Sequence, residues 1–235
     1  MTKDEVMKLL EAAGDAKTKK TLTKHGAKEP FFGVKVAELK KILKKTKKNH
    51  ELSLELYATG NSDAMYLAGL MADETKITKA QLKKWAKAAY WSYLSEYTVP
   101  WVAAETPHGW ELALEWIDSD KENIATVGWG TLASYAGVRD DSELDIKAYE
   151  KLLDRVAKEV HTAQNRVKYT MNGFVIAVGA YIKELLPKAQ QTAATIGKVE
   201  VMMNGTACKV PLATPYIQKV VDRGTVGKKR KSARC

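Results

Sequence analysis

The chain has 235 residues and a formal net charge of +10, and its two cysteines, Cys208 and Cys235, lie far apart in sequence. That length can bury a core without disulfides, and the cysteine spacing argues against a zinc or CxxC redox site. Since no 18-residue window is uninterruptedly apolar and no signal-peptide pattern opens the chain, we expect a cytoplasmic protein that neither enters a membrane nor carries a metal or cofactor.

The first distinctive segment is FFGVKVAELKKILKK, at residues 31–45. Its apolar residues repeat at helical spacing along one side, and its lysines cover the other side. Gly33 is expected to provide a turn that an ordinary side chain would strain, with Phe31 and Phe32 anchoring that turn against neighbouring helices. The lysine side of the following helix would then face solvent or a polyanion.

Helical patterns continue in chain order. Thr78 is expected to cap one helix, Pro100 to mark a kink or a boundary, and Pro107 to lie near the first turn of the next helix. The most regular apolar stripe runs from Val167 to Tyr181 in steps of four and three, and it predicts a long, largely buried helix.

The last part of the chain has a different pattern. Two β-prone runs flank Asn204-Gly205, which is the strongest short-range signal for a β-hairpin. PLATPYIQKVVDRG predicts a final helix, and GTVGKKRKSARC predicts a flexible basic tail. We therefore expect a helical domain over residues 1–196, a hairpin and terminal helix over 197–224, and a tail over 225–235.

The absence of alternating strands and helices argues against a nucleotide-binding parallel sheet. Successive helix pairs of about 35 to 45 residues favour an all-α solenoid, with a compact bundle without repeats as the alternative.

Positive charge is concentrated in two segments. Residues 35–48 carry seven lysines against Glu38, and residues 228–235 carry five Lys or Arg without an acidic residue. Since the rest of the chain is close to neutral, this distribution favours a polyanion partner, recognised through backbone phosphates rather than base sequence. The candidate phosphate-binding residues are Lys40, Lys41, Lys44, Lys45, Lys47, Lys48, Lys228, Lys229, Arg230 and Lys231.

The segment at residues 31–45, together with YWSYLSEYTVPW, ENIATVGWGTLASY and the Val167–Tyr181 stripe, resembles the bacterial DNA alkylation repair enzymes. These are DNA glycosylases built from HEAT-like helical repeats, and the likeness covers roughly residues 25–190. The resemblance implies a HEAT-like α-α superhelix with a basic concave face for double-stranded DNA. The hairpin and the basic tail resemble an extension typical of one branch of the family.

The resemblance also implies hydrolysis of the N-glycosidic bond of purines alkylated at N3 or N7. Because such a purine already carries positive charge, the protein would supply an anionic group near the sugar and aromatic faces that tolerate a cation. Family members carry a tryptophan and, four positions later, an aspartate. Alignment on Tyr90-Trp91 places the pair at Trp91 and Ser95, whereas alignment on Val99-Pro100 places the carboxylate at Glu96.

The catalytic candidates are therefore Glu96, Trp91 and Ser95. Two other family positions also differ, since the arginine falls at Gly128 and a second tryptophan at Phe174. Further DNA contacts are expected from Tyr93, Trp101, Phe174 and Arg166.

Three functions are compatible with these observations. The first is a monomeric, nucleoid-associated alkylpurine DNA glycosylase. The second is a non-catalytic helical-repeat protein that recognises distorted or branched DNA, which the departures at Ser95 and Gly128 favour. The third is a solenoid whose lysines bind an acidic protein.

Overall fold

A computed structural model describes residues 1–234 of the chain, and Cys235 lies outside them. Over the described residues the chain forms thirteen α-helices, joined by short connections that include two 3₁₀ turns and a π-helical segment at Tyr93–Thr98. The α-helices are α1 (Lys3–Ala12), α2 (Ala16–Lys24), α3 (Val36–Thr46), α4 (His50–Ala58), α5 (Ser62–Met71), α6 (Lys79–Ala88), α7 (Val99–Glu105), α8 (Gly109–Trp116), α9 (Glu122–Val138), α10 (Ile146–Glu159), α11 (Asn165–Tyr181), α12 (Leu186–Ile196) and α13 (Ala213–Asp222).

Consecutive helices pack against each other, as in the pairs α4 with α5, α8 with α9, and α11 with α12. A row of helices runs through the molecule, because α5 contacts α7, α7 contacts α9, and α9 contacts α11. None of the helices within residues 1–234 is long and apolar enough to cross a membrane.

Helix α9 lies between two hydrophobic cores and contributes buried side chains to both. Two glycines allow this position. A Cβ at Gly128 would lie 2.7 Å from the backbone nitrogen of Ile117, and one at Gly130 would lie 3.0 Å from the ring of Pro100. Gly128, where the resemblance expects an arginine, is therefore a contact between helix backbones.

Gly33 forms the predicted turn before α3. The turn is also bound by a carboxylate, that of Asp63, which the sequence pattern does not reveal. Gly33 has φ of +80°, and a Cβ there would lie 2.6 Å from the backbone of Lys19. The buried carboxylate of Asp63, at the start of α5, accepts hydrogen bonds from the N–H groups of Phe32, Gly33 and Val34 at 2.6, 2.9 and 3.1 Å. Helix α3 is thus held in a fixed direction relative to α5.

The predicted β-hairpin is not confirmed, since no strand is assigned in residues 1–234. Asn204 and Gly205 do form a turn, with φ of 52° and 68°. Beside this turn, the side-chain amide of Asn165 in α11 bonds the N–H and the C=O of Met202, at 2.6 and 3.0 Å. A helix side chain therefore occupies backbone groups that a hairpin would use for pairing.

The described part of the tail is packed on the protein, so the prediction of a flexible segment is wrong for residues 225–234. Lys229 donates from Nζ to the carbonyl oxygens of Ala136 and Tyr181, at 3.0 and 2.8 Å, near the ends of α9 and α11. Helix C-termini expose unpaired carbonyls and the negative end of the helix dipole, so a basic segment crossing them is stabilised. We call residues 225–234 the C-terminal strap.

The strap continues to the first half of the chain and is held there by Arg234. The guanidinium of Arg234 donates to the carbonyl of Ala72, just past α5, at 2.7 Å. It also forms ion pairs with Glu74 and Glu105, both at 2.9 Å, and its side chain is only 10% exposed. Lys48, at the end of the lysine-rich segment, shares Glu74 at 2.7 Å. The two basic segments of the sequence therefore meet at one place.

We expect Arg234→Ala to lower the free energy of unfolding by about 2 to 3 kcal/mol, because it leaves the largely buried carboxylate of Glu105 without its cation and that of Glu74 with Lys48 alone. Urea denaturation followed by circular dichroism measures this loss. Lys231→Ala, which removes an exposed cation from the same strap, is the control and should cost less than about 0.5 kcal/mol. Equal unfolding midpoints for Arg234→Ala and the unmodified protein would contradict the role of Arg234.

Candidate functional site

The π-helical segment at Tyr93–Thr98 carries Glu96, and Pro100 explains why the backbone departs from an α-helix there. Proline has no N–H, and its ring would clash with the carbonyl four residues earlier, which is that of Glu96. The N–H of Val99 bonds the carbonyl of Leu94, five residues back. Such π-helical insertions are frequent at functional sites.

The carboxylate of Glu96 is buried and paired with Arg166 of α11. Nε of Arg166 donates to Oε1 of Glu96 at 2.5 Å, and Nη2 of Arg166 also contacts this oxygen. Burial raises the pKa of Glu96 to about 7, against the lowering effect of Arg166. The guanidinium also lies over the ring of Tyr169, 4.7 Å from its centroid. This pair joins residues 70 positions apart in the chain.

Glu96 lines a cleft of about 220 Å³ between the π-helical segment, α7, α9 and α11. We call it the aromatic cleft, because four of its residues, Tyr97, Trp101, Tyr169 and Tyr181, carry aromatic rings. Small residues of α9 and α11 line it as well, and Arg230 of the strap also borders it. Burial raises the pKa of Tyr97 well above its ordinary value, so its hydroxyl stays protonated. The cleft therefore offers flat apolar faces, hydroxyl groups and one buried carboxylate.

The structure brings only some of the predicted site residues to this cleft. Glu96 and Trp101 line it, but Trp91 does not; Trp91 is 7% exposed and stacks on Tyr93, with ring centroids 4.7 Å apart. Ser95 is buried, and its hydroxyl donates to the carbonyl of Trp91 at 3.2 Å. The structure therefore places both predicted catalytic residues outside the cleft: Trp91 packs on Tyr93, and Ser95 bonds the backbone of its own helical segment.

Two predicted DNA contacts are also corrected. Phe174 is fully buried between Trp129 and Tyr149, so it cannot reach a ligand. Adjacent residues on a helix point about 100° apart, and on α11 it is Gly173, not Phe174, that lines the cleft. Arg166 is turned towards Glu96 instead of solvent.

The residues that sequence reasoning missed are mainly Tyr97, Tyr169, Gly173 and Ala177. A signal for three of them is present in α11, where Tyr169, Gly173, Ala177 and Tyr181 recur at intervals of four and hence share one face of the helix. This stripe of small residues framed by tyrosines runs beside the apolar stripe of the same helix.

The predicted phosphate-binding lysines of the first basic segment all lie at the surface. Lys41 pairs with Glu38 at 2.7 Å, whereas Lys40, Lys44, Lys45 and Lys47 form no ion pair within the described chain. In the strap, Lys228, Arg230 and Lys231 are exposed, but Lys229 is bonded to helix ends and to Asp141 at 2.8 Å. Lys229 is therefore an anchor of the strap and not a free phosphate ligand.

The two basic segments border a second cleft, of about 570 Å³, at the ends of α3, α5, α7 and α9. We call it the basic cleft, and its cationic residues are Lys48, Arg139, Lys231 and Arg234. Its acidic residues are Glu74 and Glu105, both of which pair with Arg234. The lining therefore has four cationic side chains against two acidic ones, although Lys48 also pairs with Glu74 and Arg139 with Glu143.

The fold and the two clefts define an α-helical repeat protein with a basic surface and a carboxylate buried beside aromatic rings. A family model described as DNA alkylation repair enzyme matches residues 6–193, and the chain belongs to that family. The predicted family and all-α fold are thereby confirmed.

Individual relatives agree with this assignment. Uncharacterized proteins of Listeria monocytogenes (Lmo0209) and Listeria innocua (Lin0241) are 34% and 33% identical to the chain over 229 residues, which is 95% of this chain and 99% of each relative. One solved structure is 37% identical, covers 100% of both chains and superposes with a TM-score of 0.92. It is described as representing a new family of proteins related to the HEAT-like repeat DNA glycosylases with affinity for branched DNA structures. The fold of this chain is accordingly a HEAT-like α-α superhelix.

The raised pKa of Glu96 predicts a pH dependence of stability. A carboxyl whose pKa is higher in the folded chain than in the unfolded chain contributes stability at low pH, and this contribution is lost as the pH rises from about 4.5 through about 7. Urea midpoints of the unmodified protein should therefore fall across this range relative to those of Glu96→Gln, which cannot titrate.

At each pH the urea midpoint of Glu96→Gln is subtracted from that of the unmodified protein, because the effect of other titrating groups then cancels. A difference that instead rises with pH would mean that Arg166 outweighs burial and keeps the carboxylate ionised.

Proposed function

We propose that the protein binds branched DNA through backbone phosphates and does not excise alkylated bases. The observation that carries this proposal is the meeting of the two basic segments at the basic cleft, which Lys48 of the first segment and Lys231 of the second both line. Lysines need only face a common surface to neutralise phosphates, and the release of counterions then provides sequence-independent affinity. The affinity for branched DNA described for the structural relative supports the same partner.

The arrangement around Glu96 favours binding over base excision. A carboxylate that stabilises an oxocarbenium-like sugar must face that sugar as an anion. Glu96 is 6% exposed, and one of its oxygens is bonded to Arg166. In the alternative alignment the family aspartate position is occupied by the buried Ser95, which has no carboxylate, and the family arginine position is occupied by the tightly packed Gly128. In either alignment the carboxylate that the chemistry would use is absent or paired with Arg166, and the arginine is absent.

We expect the protein to bind a three-way junction more tightly than linear duplex of the same length, and to release no more 7-methylguanine or 3-methyladenine from alkylated duplex than buffer does. Junction affinity should fall steeply with salt, as for any binding through phosphates. Fluorescence anisotropy at several salt concentrations and a base-release assay with saturating protein measure the two properties. Base release that disappears in Glu96→Gln would establish the glycosylase alternative instead.

The exposed lysines at the end of α3, between Leu43 and Lys48 of the basic cleft, are tested by changing Lys44, Lys45 and Lys47 together to Gln. Losing up to three phosphate contacts should weaken junction binding and reduce the slope of log K against log salt by about 2 to 3. The control changes Lys147, Lys151 and Lys158, three exposed lysines of α10, to Gln, which alters the net charge equally. If both triple variants weaken binding to the same extent, the positive charge acts diffusely and the proposed surface is wrong.

A further inference from the structure

Gly173 lies in the middle of α11, where glycine destabilises a helix relative to alanine. Other glycines inside helices of the described chain have a packing reason, since a Cβ at Gly69, Gly128, Gly130 or Gly179 would come within 3.0 Å of another group. At Gly173 no atom lies within 4 Å of the position that a Cβ would occupy. The missing side chain therefore serves no close contact in the protein and leaves open space.

This open space belongs to the aromatic cleft. Gly173 follows Tyr169 by one helical turn and precedes Ala177 by another, while Gly130 and Ala133 of α9 also line the cleft. Small side chains from two helices thus leave room beside the rings of Tyr97, Trp101 and Tyr169. A volume of about 220 Å³ can accommodate a single planar ring system, but not a double helix.

The polar groups of the cleft suit a heterocycle better than an aliphatic ligand. Glu96 and Tyr97, which are adjacent in the chain, both line the cleft and provide a buried carboxylate and a phenol hydroxyl. A nucleobase has a flat face for stacking and N–H donors at its edge that a carboxylate can accept. Arg230 borders the same cleft and can pair with the phosphate of the inserted nucleotide.

We propose that the aromatic cleft captures one unstacked nucleobase at the branch point of the bound DNA. This inference rests on the proposed function and explains how a branch would be distinguished from a linear duplex. Stacking of a base on an aromatic side chain strengthens binding by about 5- to 150-fold. In linear duplex the cost of unpairing and unstacking the base offsets this gain, whereas a base at a branch point is already exposed. The cleft therefore favours branched DNA without reading sequence.

The inference is tested by replacing Gly173 with larger residues, whose side chains would occupy the free space of the aromatic cleft. Gly173→Leu should weaken binding to a three-way junction by about tenfold and leave binding to linear duplex unchanged, because only the junction places a base in the cleft. Gly173→Ala, which adds one methyl group, should give a smaller loss. Ala194→Leu, which adds a similar side chain to an exposed position of α12, is the control for a leucine on a helix surface.

A second readout follows the base itself. A junction with 2-aminopurine at the branch point should lose fluorescence on binding to the unmodified protein, because the base stacks on tyrosine and tryptophan rings, but not on binding to Gly173→Leu. Tyr169→Leu removes a ring while keeping an apolar side chain, and it should reproduce the affinity loss if Gly173→Leu does not fold.

Two negative results have different meanings. If the unmodified protein prefers junctions but Gly173→Leu and Tyr169→Leu bind them equally well, the base-capture inference is overturned and the proposed function stands. If the unmodified protein shows no preference for junctions over linear duplex, the proposed function fails, and base capture fails with it.

Discussion

The close packing of α9 is the constraint on which the rest of the structure depends. This helix reaches both hydrophobic cores only because Gly128 and Gly130 let its backbone approach Ile117 and Pro100. Its position sets one wall of the aromatic cleft, and its C-terminal carbonyls form one of the attachment points of the C-terminal strap. A larger residue at Gly130 would push α9 away from Pro100 and the carbonyl of Glu96, next to the aromatic cleft, and one at Gly128 would push α9 away from α8.

The Glu96–Arg166 pair places a buried ion pair between distant parts of the chain. The carboxylate lies beside aromatic rings, but it is bonded to a cation from α11 and shielded from water. Removing two charges from water is costly and is offset only when the ions pair closely. The pair therefore links the π-helical segment to α11 through Oε1 of Glu96. The other carboxylate oxygen, Oε2, can accept a further hydrogen bond.

Much of the fold could be predicted from the sequence, because apolar periodicity and local turn chemistry determine the individual helices. Gly33, Thr78 and Pro100 each have the predicted role of turn, cap or boundary. The site was less predictable, because it depends on contacts across long sequence separations. Phe174 and Gly173 are adjacent in the sequence, and only the packing of α11 decides which faces the core. The basic tail likewise has the composition of a disordered segment, yet helix ends far away in sequence provide its partners.

The C-terminal strap has a consequence for how the molecule unfolds. In an ordinary solenoid each repeat contacts only its neighbours, so terminal repeats can fray while the rest stays folded. Here Arg234 bonds Glu74, 160 residues away, and thereby connects the last part of the described chain to an early repeat. The contact closes a loop of chain between Glu74 and Arg234, so the repeats within this loop are coupled beyond their nearest neighbours. We therefore expect these repeats to unfold more cooperatively than those of an open solenoid.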